Sequence, residues 1–252
     1  MARIICWFLI ITSVSAAEVR QLIRSSASSP VYATITSAGW IDKESFFSFA
    51  YTCATTLTNS KAWRDYSYYW TIIGVFTNGG IGFQIEPPNK VQVATMEWLW
   101  VVRNANQESS EVQIVVANSL AWAGSTRARI AITRNPAPQI LDHELYHYWS
   151  GCGDEYAYQG IEQDADRIPN LAGSWYNAQI KWRSFIDAGV ISPVEGGTGW
   201  FKPTANDCIM FDPVKDPCAV CFKTQRTTWL NYIGKTEISS LIKPKVVVRI
   251  TQ

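Results

Sequence analysis

Histidine is nearly absent from this chain, with two in 252 residues, so any imidazole chemistry falls to one pair. An excess of one charge is missing as well. Lys and Arg number 22 against 21 Asp and Glu, for a net charge of +1. There is therefore no basic surplus to release counterions from a nucleic acid and no polybasic run to hold an anionic membrane, and no nucleic-acid partner is expected. No repeat of fixed period and no low-complexity segment is visible, which excludes solenoids and fibrous chains. Past residue 17 no apolar run approaches the roughly 20 residues that a membrane-spanning helix needs. What is present is apolar mass: 47% hydrophobic residues, twelve of them Trp, enough to bury a core in one domain.

The N-terminus has the layout of a secretory signal peptide. Arg3 precedes the apolar run Ile4 to Ile11, and the small residues Val14-Ser15-Ala16-Ala17 lead to Glu18. Residues 1–17 are expected to be removed, leaving a secreted or periplasmic domain over 18–252 with no membrane partner. Loss of Arg3 leaves 21 basic against 21 acidic residues, and loss of Cys6 leaves five cysteines: Cys53, Cys152, Cys208, Cys218 and Cys221. Disulfides persist in such compartments, but an odd count leaves one thiol to stay free, pair between chains or bind something. At least one bridge is expected among Cys208, Cys218 and Cys221, with Cys152 a further candidate. The rival is a structural zinc site around Cys218-Ala-Val-Cys221, its fourth ligand drawn from Cys152 or Cys53.

Apolar residues at helical spacing from Ile41 to about Thr58, with acidic residues at Asp42 to Glu44, predict a helix. Tyr68 to Phe76 reads as a strand ending in the turn Asn78-Gly79-Gly80. Val91 to Val102 is ambiguous between strand and helix. Val112 to Ala117 suits a buried strand, and Ala128 to Thr133 its neighbour. After the break at Asn135 to Pro138 a helix opens near Gln139. The C-terminal part reads as mostly irregular, with a helix over Ala178 to Ile186 and a last strand from Lys245. Strands mixed with helices and followed by irregular chain point to an α+β layer fold with a mixed sheet.

The two histidines fall in His143-Glu144-Leu145-Tyr146-His147. On a helix, residues four apart share a face one turn apart, so both imidazoles can ligate one metal ion. Glu144 lies beside that face and can accept a proton from a metal-bound water and pass it to a leaving amine. Zinc, one per chain, suits imidazole and carboxylate ligands and lowers the pKa of such a water to about 7. A catalytic zinc needs a third protein ligand and an open position. Gly151 and Gly153 let the chain turn back and bring Asp154 to the metal, with Glu155 the runner-up and Cys152 third.

Together these residues resemble the immunoglobulin-A-peptidase family of secreted, metzincin-like zinc metallopeptidases, in which HExxH is followed by Gly-x-x-Asp-Glu-Tyr. His143 to Tyr156 matches that layout. Further similar segments are Ile114 to Ser119 with Trp122-Ala-Gly124, Pro169-Asn170 with Lys181-Trp182, Glu195-Gly196-Gly197 before Trp200 to Pro203, and Asp207-Cys208-Ile-Met210 with Cys218-x-x-Cys221. They span about 110–223. The resemblance implies a metzincin-like domain with an active-site helix and a Met turn, in which Met210 is a hydrophobic floor under the metal. It implies that Asn118, Ser119 and Gly124 lie where an edge strand meets an extended substrate. The chain departs from the family at Tyr146, where a small residue is usual, and at Cys152, where an apolar one is. Phe211 and Asp212 follow Met210 in place of a tyrosine.

The expected function is a secreted zinc endopeptidase, a monomer acting on protein or peptide through Glu144. Two alternatives stand beside it: a catalytically silent metal-containing binding module, and a zinc hydrolase of a non-protein substrate.

Overall fold

The structure is a computed structural model, and the residues described are 17–61, 63–78, 80–87, 90–107, 109–126, 129–135, 137–156, 164–197, 199–205 and 207–242. The signal-peptide segment and the strand expected from Lys245 lie outside them, apart from Ala17.

In chain order the strands and α-helices are β1 (Glu18–Ile23), β2 (Val31–Ala38), α1 (Lys43–Asn59), β3 (Trp70–Phe76), β4 (Phe83–Glu86), β5 (Lys90–Val93), α2 (Thr95–Asn104), β6 (Val112–Trp122), β7 (Gly124–Thr126), β8 (Ile130–Asn135), α3 (Ala137–Ser150), α4 (Trp175–Lys181), α5 (Arg183–Asp187), β9 (Val194–Gly197), β10 (Trp200–Lys202) and α6 (Ala219–Ile242). Six strands form a mixed sheet in the order β1-β3-β2-β6-β8-β7. The four inner strands run parallel and the two outer ones antiparallel to their neighbours. The class is α+β, as the mixture of strands and helices predicts.

Parallel strands covered on both faces become apolar on both faces. In β6, Val112, Ile114 and Val116 face the core that contains α1, α3 and α6. Val115 and Ala117 face the other side, where Trp98, Val101 and Val102 of α2 pack. The first helix begins where Asp42 caps it, its carboxylate accepting the Ser45 N–H at 2.7 Å, and buries Phe46, Phe47, Ala50, Cys53 and Leu57.

Four local expectations are corrected. Arg64–Tyr69 forms a 3₁₀ turn, so the strand begins at Trp70 rather than Tyr68. The ambiguous stretch from Val91 is both elements, split at Ala94. The helix expected over Ala178 to Ile186 is two short helices broken at Trp182, whose ring is buried and whose indole N–H donates to the Pro169 carbonyl at 3.1 Å. The C-terminal part contains a long helix, α6, rather than only irregular chain. It buries Cys221, Gln225, Trp229 and Ile233, a four-residue stripe in which a thiol and an amide stand where plain hydrocarbons would have advertised a helix. Trp229 anchors it among Trp63, Trp70 and Trp149, with ring centroids 4.9 to 5.2 Å away.

Candidate metal centre

Ile140, Leu141, Leu145 and Tyr146 bury one side of α3 in the main core. His143 and His147 follow one turn apart, their rings edge to face at 4.8 Å between centroids. The helix ends at Gly151, whose φ of +66° turns the chain away. The Cys152 N–H then reaches back to the Tyr146 carbonyl at 3.2 Å.

The chain that follows is fixed at two points. Asn170 grips Gly153 on both sides, its Oδ1 accepting the Gly153 N–H and its Nδ2 donating to the Gly153 carbonyl, each at 2.8 Å. A Cβ at Gly153 would meet side-chain methyls of Ile168 and Leu171 at 2.9 Å, so any larger residue there must push them aside. Two residues on, the Glu155 N–H donates to the Met210 carbonyl at 2.8 Å. Between these anchors the Asp154 side chain is delivered to the histidines.

The result is a triangle. Asp154 Oδ1 is 3.1 Å from the Nε2 atom of His143 and 3.1 Å from that of His147, and the two Nε2 atoms are 3.1 Å from each other. The opposite ring nitrogens are committed elsewhere. His143 Nδ1 donates to the Ile209 carbonyl at 2.7 Å, and His147 Nδ1 to the Cys152 carbonyl at 2.6 Å. A carbonyl only accepts, so each Nδ1 carries the hydrogen and each Nε2 is free to bind a cation. Donors held about 2.0–2.1 Å from one zinc ion lie ~3.3 Å apart at tetrahedral corners, close to the spacing seen here. These three residues could hold a metal ion. Without one, a proton serves: burial acts to lower the His147 pKa, but the Asp154 carboxylate outweighs it and raises the value to about 9. Binding a cation displaces that proton.

Glu144 is buried on the strand side of α3. Thr126 on β7 donates its hydroxyl to Glu144 Oε2 at 2.5 Å. Burial raises the Glu144 pKa, against the opposing pull of His143 and His147. A Cβ at Gly124 would stand 2.5 Å from both Glu144 Oε1 and Ile140 Cγ2, so this glycine makes room for the carboxylate.

Of the other expected site residues, Gly124 lies on β7, which pairs only with β8 among the described residues. Asn118 and Ser119 are not on that outermost strand. They belong to β6, where its register with β8 shifts between Ala117 and Trp122, and Asn118 donates to the Gly39 carbonyl at 3.3 Å. Met210 is fully buried in the main core and offers its carbonyl to Glu155. Glu155 turns away from the histidines, as its Oε1 accepts from Asn170 Nδ2 at 2.9 Å and from the Cys221 thiol at 3.8 Å. Cys152 contributes its backbone carbonyl to His147, and its thiol lies beside that of Cys221. The expected bridge is not formed in this structure: Cys53, Cys152, Cys208, Cys218 and Cys221 are free and buried.

Thr126, Asn170 and the carbonyls of Cys152 and Ile209 were missed by sequence reasoning. Asn170 had a signal, since it lies in a segment similar to the peptidase family; a backbone carbonyl has none. Compared with family models and with curated proteins, the sequence matches none.

Proposed function

We propose that the protein is a secreted, metzincin-like zinc endopeptidase. The observation that carries this reading is the triangle of His143 Nε2, His147 Nε2 and Asp154 Oδ1, with both Nδ1 atoms committed to backbone carbonyls. Three donor atoms turned toward one point, with both Nδ1 hydrogens spent on carbonyls, are what a divalent cation needs in place of the proton it displaces, and two imidazoles with one carboxylate are a zinc donor set that leaves a fourth position open. When bound, zinc would supply Lewis-acid polarisation of a carbonyl and a water of lowered pKa.

The chain's own residues do the rest. Glu144 accepts the proton of the attacking water and returns it to the departing amine. Its buried setting raises its pKa, the direction that helps a carboxylate hold a proton it has taken before passing it on. Thr126 orients that carboxylate from β7, and Gly124 leaves it space. An extended peptide adding to the open side of β7 would pass the strand that carries both residues, which favours a peptide over a compact substrate. Protein or peptide is thus the proposed substrate, with the domain acting as a monomer.

The test is metal content and casein hydrolysis of the purified chain beside a Glu144→Gln variant. The expected result is chelator-sensitive cleavage that falls by about 10²–10⁴-fold in the variant while its metal content stays unchanged. Equal cleavage by both would remove Glu144 from the chemistry. A chain that binds no metal through the histidines would remove the reading altogether.

A further inference from the structure

A second cluster of metal-ligating side chains lies outside the histidine site. Glu155, Cys208, Cys218 and Cys221 each present one donor atom, all within 4.8 Å of one another, and all four residues are buried. Cys208 opens the turn in which the Phe211 and Asp212 N–H groups return to its carbonyl. Cys218 immediately precedes α6, and Cys221 lies in its first turn, where the unpaired N–H groups of a helix favour thiolates. The Cys218 N–H points at Cys208 Sγ at 3.4 Å, a backbone donor serving sulfur charge.

Two observations point to a ligand here rather than to a simple packing of thiols. Glu155 Oε2 is fully buried and has no hydrogen-bond partner, an arrangement costly for a carboxylate unless something positive meets it. Cys208 Sγ and Cys221 Sγ are 3.6 Å apart. That is far longer than the ~2.05 Å of a disulfide and close to the ~3.8 Å edge of a tetrahedron whose sulfurs lie about 2.3 Å from a zinc ion. Cys221 Sγ to Glu155 Oε1, at 3.8 Å, is a similar edge.

We infer that Glu155, Cys208, Cys218 and Cys221 bind a second, structural metal ion, of the soft class that zinc represents. All four ligand positions are filled by protein, so this site has no open position for chemistry. Lys202, whose Nζ donates to the Glu155 carbonyl at 3.2 Å, offsets part of the negative charge of such a ligand set. The ion would fasten together three pieces of chain that build the first site. Glu155 follows the ligand Asp154, Cys208 precedes the Ile209 and Met210 carbonyls that hold His143 and Glu155, and Cys221 brings in α6. The inference stands apart from the peptidase reading and shares no ligand with it.

Cobalt(II) loaded into the reduced full chain distinguishes the two sites, because only thiolate ligands give a sulfur-to-cobalt charge-transfer band in the near ultraviolet. Wild type is expected to take up about two ions per chain, since each proposed ligand set holds one. His147→Ala should keep the ultraviolet band with about one ion, and Cys221→Ser should lose the band with about one ion remaining. If Cys221→Ser does not fold, the His147→Ala spectrum decides alone. A His147→Ala chain with no thiolate band overturns the second site. So does a disulfide joining any of Cys208, Cys218 or Cys221 in peptides of the chain purified without reductant. A wild-type chain that binds cobalt only through thiolates supports the second site and sinks the first.

Discussion

His143 Nδ1 and the carbonyl oxygen of Ile209 meet at 2.7 Å across 66 residues of chain. This contact fixes which imidazole nitrogen faces the proposed metal position, and it makes the turn before Met210 part of the site although no side chain of that turn is a proposed ligand there. The same logic holds for Asn170, which sets the path of the loop that delivers Asp154.

These supports predict a graded loss of metal. Asn170→Ala leaves all three ligands in place but frees Gly153, and is expected to weaken metal binding at the histidine site about 10–100-fold, as outer supports of a metal site commonly do. Asp154→Asn removes a charged ligand and should weaken it more. Competition against a chromogenic chelator, followed by histidine-site occupancy, measures both; equal losses, or a larger loss for Asn170→Ala, would contradict the assignment of Asp154 as ligand.

Gly124 and Thr126 meet Glu144 rather than the proposed metal ligands. Gly124→Ala places a methyl group 2.5 Å from Glu144 Oε1 and Ile140 Cγ2, a contact that only displacement of the carboxylate or the strand can relieve. Cleavage should fall steeply while metal content stays at the wild-type level. Thr126→Val keeps the shape of the side chain and removes the donor to Oε2, and a loss of about tenfold in kcat, the size expected when one hydrogen bond worth ~1.4 kcal/mol is removed, should appear with little change in KM. A KM effect alone would place Thr126 in substrate binding instead.

Much of this site was legible from the residues. The four-residue spacing of the histidines requires a helix to be useful, and Gly151 and Gly153 announce the turn that returns Asp154. The strand from Val112 was legible because an apolar run between polar residues is what a doubly covered strand needs. Other parts were not. Helix α6 hides behind Gln225 and Cys221 in its buried stripe, and β2 was passed over entirely, since the alternation of its Thr34 and Thr36 with Ala33 and Ile35 looks like an exposed strand although all four are buried. The carbonyls of Ile209 and Cys152 are common to every residue type and mark no sequence. The direction of Glu155, away from the histidines and toward the thiols, depends on the hydrogen bonds of Met210 and Asn170, which are contacts of the fold and not of the local pattern.

Cys53, which lies apart from the thiol cluster on α1, gives a pH prediction. It is fully buried on α1, and burial pushes its thiol up to about 12 from an ordinary value of 9.0. Because the folded pKa is the higher one, its contribution to stability is fully present below pH 9 and is lost as pH rises toward 12, where the unfolded chain ionises this thiol first. In the native protein at pH 8, iodoacetamide should leave Cys53 unmodified, and in denaturant it should alkylate it. Mass spectrometry of the peptide carrying Cys53 reads the outcome. Rapid modification of the folded chain would show that α1 opens locally and that the thiol is not sealed in the core.

The aromatic cluster at the root of α6 sets the last prediction. Trp229 stacks on Trp70, meets Trp63 edge on and lies tilted against Trp149, so one side chain joins β3, the turn after α1, the end of α3 and α6. Trp229→Ala would empty a space bounded by three large rings that cannot all collapse into it, and a cost of about 3–5 kcal/mol is expected from the lost burial and the cavity together. Chemical denaturation with the far-ultraviolet signal as readout should show a lower midpoint with little change in slope. The histidine site shares α3 with Trp149, so the same variant should also bind its metal less tightly, and adding zinc should recover part of the lost stability by mass action. A destabilised variant that zinc does not rescue would mean that the end of α3 moves without disturbing His147, and that the aromatic cluster supports the fold alone.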